Sequence, residues 1–128
     1  MIKIINNKEI EPIIAKAKKA GLIFNNSTNI YFGYFINKNI VGFCGLMTLK
    51  NKAILKNGFV LKDYRNKGIY SKLNVERFNY IKSLGINIIE GNVTDKSIGY
   101  HLKNGAKIIK EYKCCKTIQY IKKWEEHQ

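Results

Sequence analysis

The sequence predicts an α/β (α+β) fold: a mixed, mostly antiparallel central sheet of six to seven strands, flanked by three helices. Three observations carry this expectation. Apolar residues recur at strand and helix spacings in the order β-α-β-β-β-α-β-α-β-β. Short polar turns join the middle strands, and such turns make antiparallel hairpins. A strand, a long helix and another strand then follow in succession, and a crossover of that length makes its two strands parallel.

The elements follow in chain order. Residues 1–6 read as a strand through Ile2, Ile4 and Ile5. A helix is expected over 8–21, with Asn7 as N-cap, Pro12 in its first turn, an apolar stripe of Ile10, Ile13, Ile14 and Ala17, and Gly21 as its stop. Residues 22–29 are Asn-rich and read as a loop. A three-strand meander fills 30–61: Ile30–Ile36, a turn at 37–39, Ile40–Leu49, a tight turn at Lys50-Asn51, and Lys52–Leu61. Residues 62–84 hold a basic turn and a helix from about Tyr70 to Leu84, ended by Gly85, with Leu73, Phe78, Ile81 and Leu84 inward and Lys72, Glu76 and Lys82 outward. A strand, a short helix capped at Thr94 or Asp95, and a terminal hairpin fill 87–122. With a single proline and no Ser/Gly-rich linker, residues 1–128 are expected to form one domain.

Composition narrows the class. Hydrophobic content of 45% with 12% aromatic residues excludes a disordered chain. No apolar run approaches the roughly 20 residues of a bilayer span. The first twelve residues, MIKIINNKEIEP, lack the apolar core of a secretory leader. Cys44, Cys114 and Cys115 are an odd number without metal-ligand spacing, so reduced thiols, a cytoplasmic setting and no metal are expected. Cys114 and Cys115 are read as neighbours in a strand, on opposite faces. The net charge of +14 comes from 21 Lys and 2 Arg, alongside 21 Ile and 15 Asn. That profile is typical of AT-rich coding sequence, and the lysines are spread along the chain. The surplus still attracts polyanions, so nucleic acid stays a candidate partner.

The most informative stretch is the turn Arg65-Asn66-Lys67-Gly68-Ile69-Tyr70 and the helix it opens. Unpaired N–H groups and the dipole at a helix start make a cradle for phosphate. The turn resembles motif A of the GCN5-related N-acetyltransferase (GNAT) family, Gln/Arg-x-x-Gly-x-Gly/Ala. Arg65 and Gly68 fill the first and fourth positions, and Tyr70 departs from the small sixth residue. The segment Asn92–Ala106 resembles the family's second signature, closing on Lys103-Asn104-Gly105-Ala106. The element order agrees with the family throughout, with the first two helices reduced to one.

The resemblance implies an acetyl-CoA-dependent N-acetyltransferase in which an amine attacks the thioester directly. It implies a pyrophosphate cradle at Arg65, Asn66, Lys67, Gly68, Ile69, Tyr70 and Ser71. It implies splayed strands at Phe59, Val60 and Leu61, where backbone groups meet the pantetheine arm, with Val60 foremost and Asn92 bonding the same arm. His101 occupies the position of the family's general acid, a tyrosine; Tyr100, one residue away, and solvent are the other candidate proton sources. Glu90 is the candidate base. Two alternatives stand beside this: an acyltransferase-like enzyme modifying nucleic acid in a phage or mobile element, and a non-catalytic CoA-binding module. The expected partners are acetyl-CoA and an amine acceptor, small molecule or protein, with no membrane. The chain is read as a monomer or homodimer, with Tyr112, Tyr120 and Trp124 as candidate contact, pocket or core residues.

Overall fold

The computed structural model describes residues 1–24, 28 and 30–124. Among them the order is β1 (Ile2–Ile5), α1 (Glu11–Lys19), β2 (Ile30–Ile36), β3 (Asn39–Thr48), β4 (Lys52–Val60), a turn of 3-10 helix (Lys62–Tyr64), α2 (Ile69–Ser83), β5 (Ile88–Val93), α3 (Asp95–Lys103), β6 (Lys107–Glu111) and β7 (Lys116–Ile121). The seven strands form one sheet in the order β1-β2-β3-β4-β5-β7-β6. Pairing is antiparallel between β1 and β2, β2 and β3, β5 and β7, and β6 and β7, and parallel between β4 and β5. The predicted fold class and element order are both observed. The expected loop over 22–29 lies partly outside the described residues.

The contacts group the chain into two compact units, Met1–Met47 with Lys56–Tyr80, and Thr48–Leu55 with the chain from Ile81 on. β4 runs through both.

In the first unit, β3 is buried along most of its length because both of its faces are covered. Ile10, Ile13 and Ala17 of α1 pack with Ile5, Tyr31, Ile40, Phe43 and Phe59. Phe43 is the centre of this cluster, edge-on to Tyr31 at 5.9 Å and tilted against Phe24 at 6.0 Å and Phe59 at 6.1 Å. The alternate residues meet α2. The Cys44 thiol donates to the Leu73 carbonyl (3.8 Å), and Phe32 meets Tyr80 edge-on at 5.7 Å. Asn37 and Lys38 both take positive φ (50° and 69°), the turn that matches hairpin twist.

The helix start differs from expectation. Helix α1 begins at Glu11 rather than residue 8, and its N-cap position is Ile10, which makes no side-chain cap. The Asn6 side chain acts as a cap a turn earlier, accepting from the N–H of Lys8 (3.0 Å) and Glu9 (3.1 Å). The helix ends fall at the anticipated glycines, where the N–H of Leu22, Ile86 and Ala106 reaches back to the carbonyls of Ala17, Ile81 and His101.

In the second unit, the described parallel ladder runs from Lys52↔Ile88 to Leu55↔Gly91. β7 lies between β5 and β6, so the terminal hairpin enters the sheet by its second strand. Tyr120 is 2% exposed and is a core residue, not a contact surface. Trp124 Nε1 donates to the Ile86 carbonyl (2.7 Å), and Tyr112 is exposed. Cys114 and Cys115 belong to the β6–β7 connection and not to a strand interior, and their thiols approach each other. No helix among the described residues is long and apolar enough to cross a membrane.

Replacing Phe43 with alanine removes the hub of the aromatic cluster at a site with 0% exposure. The expected loss is about 3–5 kcal/mol of unfolding free energy, read from the denaturant midpoint at unchanged slope.

Candidate active site

The basic turn belongs wholly to the first unit. β4 ends where the Leu61 N–H donates to the Val41 carbonyl (2.8 Å). The 3-10 turn follows, then Arg65 in extended backbone (φ −76°, ψ 160°). Asn66 and Gly68 take left-handed φ of 62° and 79°. A Cβ at Gly68 would meet nothing within 4 Å, so it is the backbone angle that calls for glycine there. Lys72 N–H donates to the Gly68 carbonyl (3.0 Å), the bond that opens α2. The N–H groups that precede that bond lie ahead of the intrahelical ladder. No acidic residue stands in the first turn of the helix. The positive end of the dipole is therefore left without a carboxylate of its own there, which suits it to an anion.

Arg65, Asn66, Lys67, Gly68 and Ser71 are exposed, whereas Ile69 is buried and anchors the helix start. The Arg65 side chain folds back on the strand. Its Nε donates to the Val60 carbonyl (2.8 Å), and its guanidinium lies over the Phe59 ring at 5.5 Å. Phe59 and Val60 have buried side chains, and Leu61 packs half-buried against the same core. Their side chains are thus turned largely to the core, and the Val60 carbonyl and Leu61 N–H are already engaged within the protein.

Tyr70, the departure from the small sixth residue, points into the protein. A Cβ at Gly58 would lie 2.6 Å from Tyr70 Cε1, so the ring occupies the space that a side chain on β4 would fill. The Tyr70 hydroxyl is 3.3 Å from Nη2 of Arg77. The small residue missing from the turn is thus found on the facing strand.

Sequence reasoning missed Arg77. It is 1% exposed, on the stripe of Leu73 and Ile81, where Leu84 was expected and is instead 47% exposed. Its Nη1 donates to the carbonyls of Gly45 (3.0 Å) and Lys56 (3.1 Å), and its Nη2 to Asn74 Oδ1 (2.7 Å). The available signal was its i+4 spacing from Leu73 and i−4 spacing from Ile81.

The remaining candidates lie in the second unit. Glu90 sits on β5 with both oxygens engaged: Oε1 accepts from Lys52 Nζ (3.2 Å) and Oε2 from Gln119 Nε2 (2.8 Å). Asn92 is exposed, and its Oδ1 accepts from the Thr117 hydroxyl (2.6 Å). His101 faces inward from α3 at 1% exposure, with Nδ1 2.6 Å from the Tyr120 hydroxyl. Tyr100 is half-buried, its ring edge-on to His101 at 5.3 Å. Tyr120, nineteen residues from His101 in sequence, was not anticipated as its partner. Among the described residues there is no group of three or more His, Cys, Asp or Glu able to hold a metal ion.

No protein-family model and no curated protein matches the sequence. Solved structures do. An acetyltransferase of the GNAT family from Staphylococcus aureus Mu50 is 25% identical, with 94% of this chain and 99% of that one covered and a TM-score of 0.72. Ard1 from Thermoplasma volcanium is 17% identical, with 94% and 96% covered and a TM-score of 0.80. The PaiA N-acetyltransferase from Thermoplasma acidophilum, solved in complex with coenzyme A, is 20% identical, with 90% and 70% covered and a TM-score of 0.68. Two of these neighbours are acetyltransferases by name, and the chain carries the fold of all three.

The packing of Tyr70 on Gly58 is directly testable. Gly58→Ala is expected to lower unfolding free energy by roughly 1–3 kcal/mol, because the ring must move. Combining it with Tyr70→Ala should recover some of that loss in a double-mutant cycle. Additive losses would mean that the ring does not occupy this space.

Proposed function

We propose that this chain, which carries the GNAT fold, transfers an acetyl group from acetyl-CoA to an amine. The observation that carries the reading is the turn at the start of α2. It combines left-handed Asn66 and Gly68, a helix start that opens onto the turn and no first-turn carboxylate. These features fit the pyrophosphate of coenzyme A, with Lys67 and Lys72 adding charge from the surrounding sequence. The coenzyme A bound in the PaiA neighbour supports the same donor.

In the proposed reaction the amine nitrogen attacks the thioester carbonyl, forming the C–N bond. Backbone N–H donation near Val60 stabilises the oxyanion. Collapse of the tetrahedral intermediate breaks the C–S bond, and the thiolate leaves with a proton. That proton comes from His101, whose hydrogen bond to Tyr120 holds the ring and offers a second proton carrier, or from Tyr100. Glu90 takes the proton lost by the amine. Its ion pair with Lys52 and bond to Gln119 fix the carboxylate in place, and it must exchange one of these to act. The contacts of Phe59, Val60, Leu61 and Asn92 with the pantetheine arm belong to the same proposal.

Calorimetric titration with acetyl-CoA tests the donor. Saturable binding in the micromolar range is expected, weakening with added salt. Gly68→Ala should weaken it about tenfold, as strain of roughly 1–2 kcal/mol displaces the cradle. An absence of binding would remove this reading. For the chemistry, thiol release is followed with a panel of primary amines. His101→Ala should lower the rate by about 10²-fold or more, whereas Tyr100→Phe should not. The reverse result reassigns the acid to Tyr100.

A further inference from the structure

Cys114 and Cys115 are absorbed by no step of the acyl-transfer reading. They sit where β6 turns into β7. The Tyr112 N–H donates to the Cys115 carbonyl (2.8 Å), which leaves Lys113 and Cys114 as the two turn residues. The two sulfur atoms are 2.7 Å apart, with Cys114 exposed and Cys115 partly so. Lys113 and Lys116 flank the pair in sequence. The pair is open to a small solute, and the hydrogen bond with Cys114, then partial desolvation, pushes the Cys115 thiol up in pKa.

The third cysteine provides the contrast. Cys44 is fully buried, its thiol donates to the Leu73 carbonyl, and burial pushes that thiol up in pKa although the Arg77 charge pulls the other way. It is closed to solutes in the folded state.

The geometry points to Cys114–Cys115 as a two-thiol exchange site for small aliphatic disulfides of the glutathione type. One thiolate attacks the small disulfide, forming a mixed disulfide and expelling one small thiol. The second thiolate attacks the protein sulfur of that mixed disulfide and expels the other small thiol. The two cysteines are oxidised, the small disulfide is reduced to two thiols, and the two protons lost by the cysteines end on those thiols. The product is an eight-membered ring enclosing the Cys114–Cys115 peptide. The Cys115 carbonyl bonded by Tyr112 adjoins that ring, so closure acts directly on the pair that aligns β6 with β7. The inference does not depend on the proposed acyl transfer.

The test uses the reduced full-length protein and oxidised glutathione, with intact mass measured after alkylation under denaturing conditions. Wild type should lose two hydrogens and two alkylatable thiols, retaining Cys44 as the one labelled site. Cys114→Ser and Cys115→Ser should each stop at a single glutathione adduct on the remaining cysteine. Amide exchange at Tyr112 should rise in the oxidised form. A wild type that accumulates the mixed disulfide, forms only intermolecular dimers or fails to react would overturn the proposal.

Discussion

A guanidinium buried between a helix and two strands is the constraint from which the rest of the first unit follows. Removing Arg77 from water is unfavourable by several kcal/mol, so the charge is tolerable only where hydrogen bonds replace its hydration. The carbonyls of Gly45 and Lys56, the amide oxygen of Asn74 and the hydroxyl of Tyr70 supply them. Each bond to an ionised donor is worth about 1.5–3 kcal/mol net. Together they fix where α2 lies against β3 and β4, with directional bonds where apolar packing would permit sliding. The start of that helix is the phosphate-type turn. A strand carbonyl at Lys56 and the turn at Gly68 are thereby held in one frame.

Tyr70 is the link between the buried charge and the exposed turn. A small residue usual at this position lets a backbone approach its ligand. Here the position carries a phenol, and the chain accommodates it by leaving Gly58 bare on the facing strand. The ring then fills core space and its hydroxyl meets Arg77, so bulk at the turn is converted into an attachment of the turn. A phenol at this position would crowd a ligand if it filled the turn, and the ring faces Gly58 instead.

Local signals made most of the fold legible. β2 was read to its observed limits because six aromatic and branched residues around Gly33 are bounded by polar turns. α2 was read to within a residue at each end because Gly68 and Gly85 punctuate it. What stayed hidden was non-local. Nothing near residues 116–121 states that this strand lies between β5 and β6. The inward turn of His101 depends on Tyr120, which belongs to another element. Arg77 was hidden for another reason: a charged residue on a helix is ordinarily solvated, and its place on the apolar stripe was overruled by its type. Of the candidate site, the basic turn was legible because its chemistry is local backbone geometry. The catalytic side chains were identified by position in a signature alone, and their environments come only from the fold.

The posture of Arg65 sharpens what the turn does. In a phosphate site an arginine is expected to offer its fork to the ligand. Here Nε is engaged by the Val60 carbonyl and the plane lies on Phe59, so the side chain splints the end of β4 to the turn. In the proposed cradle, anion affinity would then rest chiefly on the N–H groups before Lys72 and on the dipole behind them, with the lysines contributing a diffuse, salt-sensitive field. Backbone donors in a fixed frame discriminate by shape, because they can neither extend nor rotate to reach a displaced ligand. On the proposed reading, a chain whose net charge of +14 would attract polyanions indiscriminately would draw its selectivity from the groups of the site that carry no formal charge.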